Sequence, residues 1–136
     1  MHDKFYERKA KIVHLLEQII QQLEIVRERC RNVRTVNDFL DSNEGMSLLD
    51  GICMKLIAVG ESLKNLDKLT ERNLLIHYPQ IPWREVMGMR DIIVHHYFEI
   101  DADVILATVK ENVPQLLIML QKIKEDITSE IISPHA

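Results

Sequence analysis

The pattern that decides the fold lies in residues 12–26, Ile12-Val13-His14-Leu15-Leu16-Glu17-Gln18-Ile19-Ile20-Gln21-Gln22-Leu23-Glu24-Ile25-Val26. Aliphatic residues recur there at alternating spacings of four and three, which places them on one face of an α-helix; they are Ile12, Leu16, Ile19, Leu23 and Val26. Neither glycine nor proline occurs from about Asp3 to Arg31, so one long helix is predicted. Its apolar seam favours near-antiparallel packing against other long helices, as in a bundle.

The same spacing of aliphatic residues recurs further along the chain and predicts the other helices of the bundle. After a connection that includes Gly45, a second long helix is predicted from about Ser47 to Leu69. A third begins near Trp83, and a last one runs from about Ala102 to Ile127. Pro114 lies inside the last helix and should kink it or divide it into two segments, because proline has no N–H to donate.

A short helix completes the helical pattern. Thr35 and Asp38 form a weak capping box, which predicts a short helix over 36–40 with Phe39 and Leu40 pointing inward. The sequence therefore predicts an all-α fold, an up-and-down helical bundle of four principal helices plus a short helix. Residues 1–136 form one predicted domain, with a frayed tail at about 128–136.

Gly60 stands inside the second long helix, where glycine costs about 1 kcal/mol relative to alanine. We therefore expect Gly60 to allow another helix or a side chain to approach closely. Glu61, the next residue, is either solvated or paired with a cation near a cleft, and the sequence leaves both possibilities open.

Composition limits the classes of protein that fit this chain. Of 136 residues, 46% are hydrophobic and 28% are charged, the balance of a helical globular protein. The first residues lack the apolar region of a secretory signal, and the cysteines, Cys30 and Cys53, form no C-x-x-C pair, so we expect a cytoplasmic protein without a membrane span. The net charge of −4 disfavours a general nucleic-acid coat protein but permits a local basic cleft.

Reactive side chains are concentrated in one stretch, Arg90-Asp91-Ile92-Ile93-Val94-His95-His96-Tyr97. Arginine binds phosphate with a planar donor fork, and histidine moves protons near neutral pH, so the pair suggests work on a phosphodiester. The alternative is that the aliphatic residues are core, Arg90 is a surface cation and the histidines cap a helix end. On a helix, Arg90 and Tyr97 point within about 20° of each other, whereas Arg90 and His95 point about 140° apart. A site that uses both therefore requires a loosened helix near His95 or two copies of the protein, which favours a homodimer.

Two other clusters offer weaker signals. His95 and His96 make a poor metal site, because adjacent helical residues diverge and no acidic or cysteine ligand lies at metal-binding spacing. Basic residues gather at the end of the first helix, where they either complement the helix dipole or steer RNA; they are Arg27, Arg29, Arg31 and Arg34.

The stretch Arg90 to Tyr97 resembles the R-x4-H-x-Y motif of HepT-like toxins in the HEPN superfamily. Family-like segments also occur in order at 58–64, 78–84, 88–90 and 94–101, so the likeness spans most of the chain. The resemblance implies a metal-independent RNase toxin, without a cofactor of its own, encoded beside a small nucleotidyltransferase antitoxin and active as a dimer.

The resemblance also implies roles for individual residues. His95 would act as a general base or acid, and Arg90 would bind the phosphate. Asp91 could orient either of them or be a solvated carboxylate, and His96 has no assigned role beyond a possible substrate contact. Tyr97 matches the tyrosine that the partner enzyme modifies with AMP from ATP, where added charge and bulk would block the cleft.

Three interpretations of the function differ in whether they require Arg90, His95 and Tyr97. The leading one is an RNase toxin neutralised by AMPylation. The alternative is a non-catalytic subunit that binds a nucleotidyltransferase or its substrate, which would keep Arg90 and Tyr97 but could lose His95. A third, a purely structural dimerising bundle, would tolerate replacement of all three.

Overall fold

The computed structural model describes residues 2–95 and 101–129, with side chains from residue 7 onward. Six α-helices follow one another in this part of the chain: α1 His2–Arg29, α2 Asn37–Leu40, α3 Asn43–Leu69, α4 Trp83–His95, α5 Ala102–Ala107 and α6 Val113–Thr128. A 3-10 turn occupies Leu75–His77, and a π-helical segment, Thr108–Asn112, joins α5 to α6. No β-strand occurs among the described residues, and the predicted all-α bundle is confirmed.

The long helix α1 packs against both α3 and α6, while α4 packs on α3. The predicted seam of α1 is buried along its whole length, with Leu16 and Leu23 wholly inaccessible to solvent. Facing residues of α3 and α6, such as Leu63 and Leu120, are equally buried, so the three helices share one core.

The short helix α2 and the start of α3 differ in detail from the prediction. Phe39 is fully buried as predicted, but Leu40 is 48% exposed, because adjacent residues on one helical turn point about 100° apart. Helix α3 begins at Asn43 rather than near Ser47, since the Ser42 hydroxyl accepts a hydrogen bond from the Gly45 N–H at 2.9 Å and caps the helix. A Cβ on Gly45 would overlap the carbonyl oxygen of Asp38, so glycine is what lets α2 lie against α3.

Proline divides the last helix, as predicted. Pro114 lies in the first turn of α6, where a missing N–H costs little. The π-helical segment Thr108–Asn112 precedes it and takes up the change in backbone pairing. In this segment, Nζ of Lys110 donates a hydrogen bond of 2.7 Å to the carbonyl oxygen of Cys30, the residue directly after α1. The bond connects the end of α1 to the π-helical segment.

The connection between α3 and α4 is anchored by Tyr78. Its side chain is buried, and its hydroxyl donates a hydrogen bond of 2.7 Å to Oδ2 of Asp126 on α6. The indole N–H of Trp83 in turn donates to the carbonyl oxygen of Tyr78 at 2.9 Å. These two bonds fix the start of α4, and thereby the orientation of the helix that carries Arg90.

No helix in the described residues is both long enough and apolar enough to cross a membrane.

Candidate active site

Helices α3 and α4 approach closely where Gly60 faces Arg90. A Cβ built on Gly60 would lie 3.3 Å from the Cβ of Arg90 and 3.4 Å from the carbonyl oxygen of Met87. A methyl group there would therefore press against both the side chain and the backbone of α4. The expectation that Gly60 allows a close approach is confirmed, and the residue that approaches is Arg90.

The guanidinium of Arg90 is held by two carboxylates. Oε1 of Glu61, on α3, lies 2.8 Å from Nε, and Oδ1 of Asp91 accepts a hydrogen bond from Nη1 at 2.9 Å. Nε is shielded from solvent and its N–H is not aligned with any acceptor, so the contact with Glu61 is a short ion pair rather than a hydrogen bond. The hydrogen bond to Asp91, together with the charge of Glu61, raises the pKa of Arg90 above its ordinary value. Of the two possibilities for Glu61, pairing with a cation is the one observed.

Asp91 connects Arg90 to a second cation. Its other oxygen, Oδ2, lies 3.9 Å from Nζ of Lys64 on α3. The hydrogen bond from Arg90 and then the charge of Lys64 lower the pKa of the Asp91 carboxyl, and His95, one turn further along α4, lowers it slightly more. Asp91 is therefore a carboxylate at any pH near neutrality, and its orienting contact with Arg90 is direct.

Lys64 was not singled out from the sequence. Its spacing was the available signal, because it lies four residues after Gly60 and therefore on the same face of α3. Glu61 and Lys64 both follow Gly60 within about one turn of α3, and they contact Arg90 and Asp91 of α4 respectively.

His95 is the last described residue of α4, and its side chain is exposed. The helix is continuous from Trp83 to His95, so the described residues show no loosening before His95. Arg90 and His95 consequently point about 140° apart on one helix. Between them only Ile93 is buried, whereas Ile92 is 56% and Val94 is 43% exposed, so this stretch is not simply a core segment.

His96 and Tyr97 lie outside the described residues. Their predicted roles, a possible substrate contact and the site of AMPylation, remain predictions.

The basic cluster at the end of α1 is mostly exposed. Arg31 forms an ion pair of 3.1 Å with Glu28, and the side chains of Arg27, Arg29 and Arg34 are accessible to solvent. Each of the two interpretations, a favourable interaction with the helix dipole or attraction of RNA, is compatible with this exposure.

The described residues contain no metal-binding cluster, and the cavity between α4 and α6 includes neither Arg90 nor His95. In residues 2–95 and 101–129, no three His, Cys, Asp or Glu side chains are grouped to hold a metal ion. A mainly apolar cavity of about 170 Å³ lies between α4 and α6, lined in part by Met89, Val113 and Leu116, and neither Arg90 nor His95 contributes to it.

Comparison with known proteins identifies the family. The model of the family described as "Ribonuclease HepT-like" matches residues 19–123, a range that includes Gly60, Arg90 and His95. A Thermococcus cleftensis protein named "Probable ribonuclease HepT" is 34% identical over 110 residues, which cover 81% of this chain and 93% of the relative.

Two further relatives have ribonuclease names. One from Caldanaerobacter subterraneus subsp. tengcongensis, named "Putative RNase", is 31% identical over 101 residues, 74% of this chain and 83% of the relative. Another from Methanocaldococcus jannaschii, named "Gamma-glutamylcyclotransferase and putative RNase", is 30% identical over 112 residues, 82% of this chain and 47% of the relative. No solved structure matches the chain. By the extent of these matches, the chain belongs to the HepT-like ribonuclease family, and the enzyme class predicted from its sequence, a ribonuclease, is confirmed at the level of that family.

Proposed function

We propose that this protein is the metal-independent RNase toxin of a toxin-antitoxin pair. Arg90 and His95 would cleave RNA in a cleft shared by two copies, and AMP transfer to Tyr97 by a small nucleotidyltransferase would neutralise the toxin. The observation that carries the proposal is the fixed guanidinium of Arg90, held by Glu61 and Asp91 on a chain of the HepT-like family. Such a preorganised cation suits the developing charge of a phosphoryl transition state.

In the proposed reaction, a nitrogen of His95 removes the proton of a ribose 2′-hydroxyl. The 2′-oxygen then forms a bond to the adjacent phosphorus while the bond from phosphorus to the 5′-oxygen breaks. The leaving 5′-oxygen receives a proton from a protonated histidine, so the products are a 2′,3′-cyclic phosphate and a 5′-hydroxyl. Arg90 binds the nonbridging phosphate oxygens, which gain negative charge as the new bond forms.

The dimer is proposed because one helix cannot direct both groups at the same phosphate. Arg90 and His95 point about 140° apart on the continuous helix α4. A second copy would bring its own α4 to the same cleft, so that Arg90 of one protomer and the histidine of its partner meet at one phosphate. The two histidines of such a cleft could then serve as base and acid.

The proposed switch follows from helical spacing. If the helical spacing of α4 continues, residue 97 lies within about 20° of Arg90. AMP on Tyr97 would then place a phosphate beside the guanidinium and an adenosine in the cleft. RNA would be excluded by both charge and volume.

Cleavage of single-stranded RNA in EDTA tests the nuclease. We expect purified protein to cut RNA to cyclic-phosphate ends, and His95→Ala to lower the rate by about 10²-fold to 10⁴-fold, the usual contribution of general acid-base catalysis. His14→Ala on α1 and Arg84→Ala on α4 are matched controls, because both side chains are exposed and lie outside the proposed site. RNA that survives wild-type protein as well as it survives His95→Ala would instead favour the binding subunit.

Labelling with ATP tests the switch. Incubation with the partner nucleotidyltransferase and radiolabelled ATP should transfer AMP to wild-type protein and to Tyr6→Phe, but not to Tyr97→Phe. Modified protein should lose RNA cleavage in proportion to labelling. Unchanged labelling of Tyr97→Phe would contradict the assignment.

A further inference from the structure

Glu61 is the closest charged neighbour of Arg90 from another helix. Its Oε1 lies 2.8 Å from Nε of Arg90, and Gly60 directly before it allows α4 to come this close. Among the described residues, the ion pairs of the guanidinium use Nε and Nη1 rather than Nη2. The side chain of Arg90 is 38% exposed, so part of it is accessible to solvent.

The charges around Arg90 nearly cancel. Glu61 and Asp91 are acidic, Arg90 and Lys64 are basic, and the four side chains are linked in sequence by contacts of 2.8, 2.9 and 3.9 Å. Such a cluster attracts a phosphate less than a bare arginine does, because two carboxylates lie beside the cation. The cluster instead restricts the orientation of the guanidinium, because two carboxylates contact it. A group that is already oriented loses less entropy when it binds a phosphate.

We propose that Glu61 is a positioning residue, which holds Nε of Arg90 from α3 so that Nη2, which neither carboxylate contacts, binds the scissile phosphate. This inference rests on the proposed RNase function. Glu61 touches Arg90 rather than the substrate, so it acts through the arginine. Asp91 contacts the guanidinium from the same helix, α4, whereas Glu61 contacts it from α3. Through Glu61, the orientation of Arg90 therefore depends on the distance between α3 and α4.

The sign of the effect separates positioning from simple electrostatics. Removal of a carboxylate beside a phosphate-binding arginine should strengthen binding of a polyanion if charge alone matters. Loss of positioning has the opposite effect, because a misplacement of about 1 Å in a catalytic group can lower a rate by about a hundredfold. A fall in activity and affinity on removal of the negative charge thus supports positioning.

The test compares Glu61→Gln with wild-type protein. The substitution keeps the shape of the side chain and removes its charge, and an exposed ion pair adds too little to stability for the variant to unfold. We measure kcat and KM for RNA cleavage in EDTA, and Kd for single-stranded DNA, which has no 2′-hydroxyl and is not cut. Glu24→Gln is the matched control, since Glu24 is exposed on α1 and the substitution changes net charge equally.

We expect Glu61→Gln to lower kcat about tenfold to a hundredfold, and to weaken binding, which is measured as a higher KM for RNA and a higher Kd for DNA. Glu61→Asp, which keeps the charge on a shorter side chain, should lie between Glu61→Gln and wild type. The proposal is overturned if Glu61→Gln matches Glu24→Gln in kcat, or if it binds DNA more tightly than wild type. If wild-type protein does not cut RNA, the proposed function fails and DNA affinity alone decides: weaker binding by Glu61→Gln supports the role of Glu61, and unchanged or tighter binding overturns it.

Discussion

Gly60 on α3 and Arg90 on α4 lie so close together that a Cβ on the glycine would be 3.3 Å from the Cβ of the arginine. The proposed catalytic residue Arg90 therefore packs directly against the backbone of α3. Its position depends on the distance between two helices, α3 and α4, which the segment between Leu69 and Trp83 connects along the chain.

Gly60→Ala is expected to affect activity more than stability. Alanine gains about 1 kcal/mol of helix propensity, which offsets the cost of crowding Arg90 and Met87. The same crowding moves Arg90, so RNA cleavage should fall about tenfold or more, with a free energy of unfolding changed by less than about 1 kcal/mol. Gly51→Ala on the same helix is the control, since no atom lies within 4 Å of a Cβ there. It should keep full activity, and equal activity of the two variants would contradict the prediction.

Asp91→Asn is expected to lower cleavage by the same factor at every pH from about 5 to 8. The pKa of Asp91 is lowered by the hydrogen bond from Arg90 and by Lys64, so its carboxylate is charged throughout this range. Its contribution to stability is present above the ordinary aspartate pKa of about 3.9 and is lost only as the pH falls through the lowered value. A ratio of kcat/KM between variant and wild type that changes across this range would contradict the prediction.

Tyr78→Phe is expected to lower the free energy of unfolding by about 1 to 2 kcal/mol, the usual cost of removing one partner from a buried hydrogen bond. Burial and then Asp126 raise the pKa of Tyr78. A raised pKa means that the contribution is full below the ordinary tyrosine value of about 10 and is lost as the pH rises beyond it. Urea unfolding at pH of about 8 and about 11 should therefore show the two proteins becoming more alike at the higher pH. A difference between the two proteins that grows with pH would contradict the prediction.

The two cysteines are expected to resist thiol reagents in the folded protein. Cys30 and Cys53 are both buried free thiols. Burial raises the pKa of Cys30, and it raises the pKa of Cys53 to about 11, so little reactive thiolate forms at pH of about 8. Titration with a colorimetric disulfide reagent should detect both thiols in guanidinium and neither in buffer. Rapid labelling of the native protein would contradict their burial.

The local pattern of the sequence was sufficient to predict the helices and their buried faces. The seam from Ile12 to Val26 became the buried face of α1, and Pro114 divided the last helix. These features depend on residues within one or two turns of each other, because periodicity and capping act locally. The candidate residues Arg90, Asp91 and His95 could also be named from the chain, with their roles supplied by family resemblance.

The tertiary structure alone decided which residues of different helices meet. Gly60 indicated a close approach, but only the packing of α3 on α4 identified Arg90 as the neighbour, paired Glu61 with Nε and brought Lys64 to Asp91. Such contacts depend on the register and spacing of two helices, and those are set by the whole core rather than by the residues that touch. The sequence by itself therefore determined what chemistry the helix α4 carries, while the tertiary structure determined how its arginine is held.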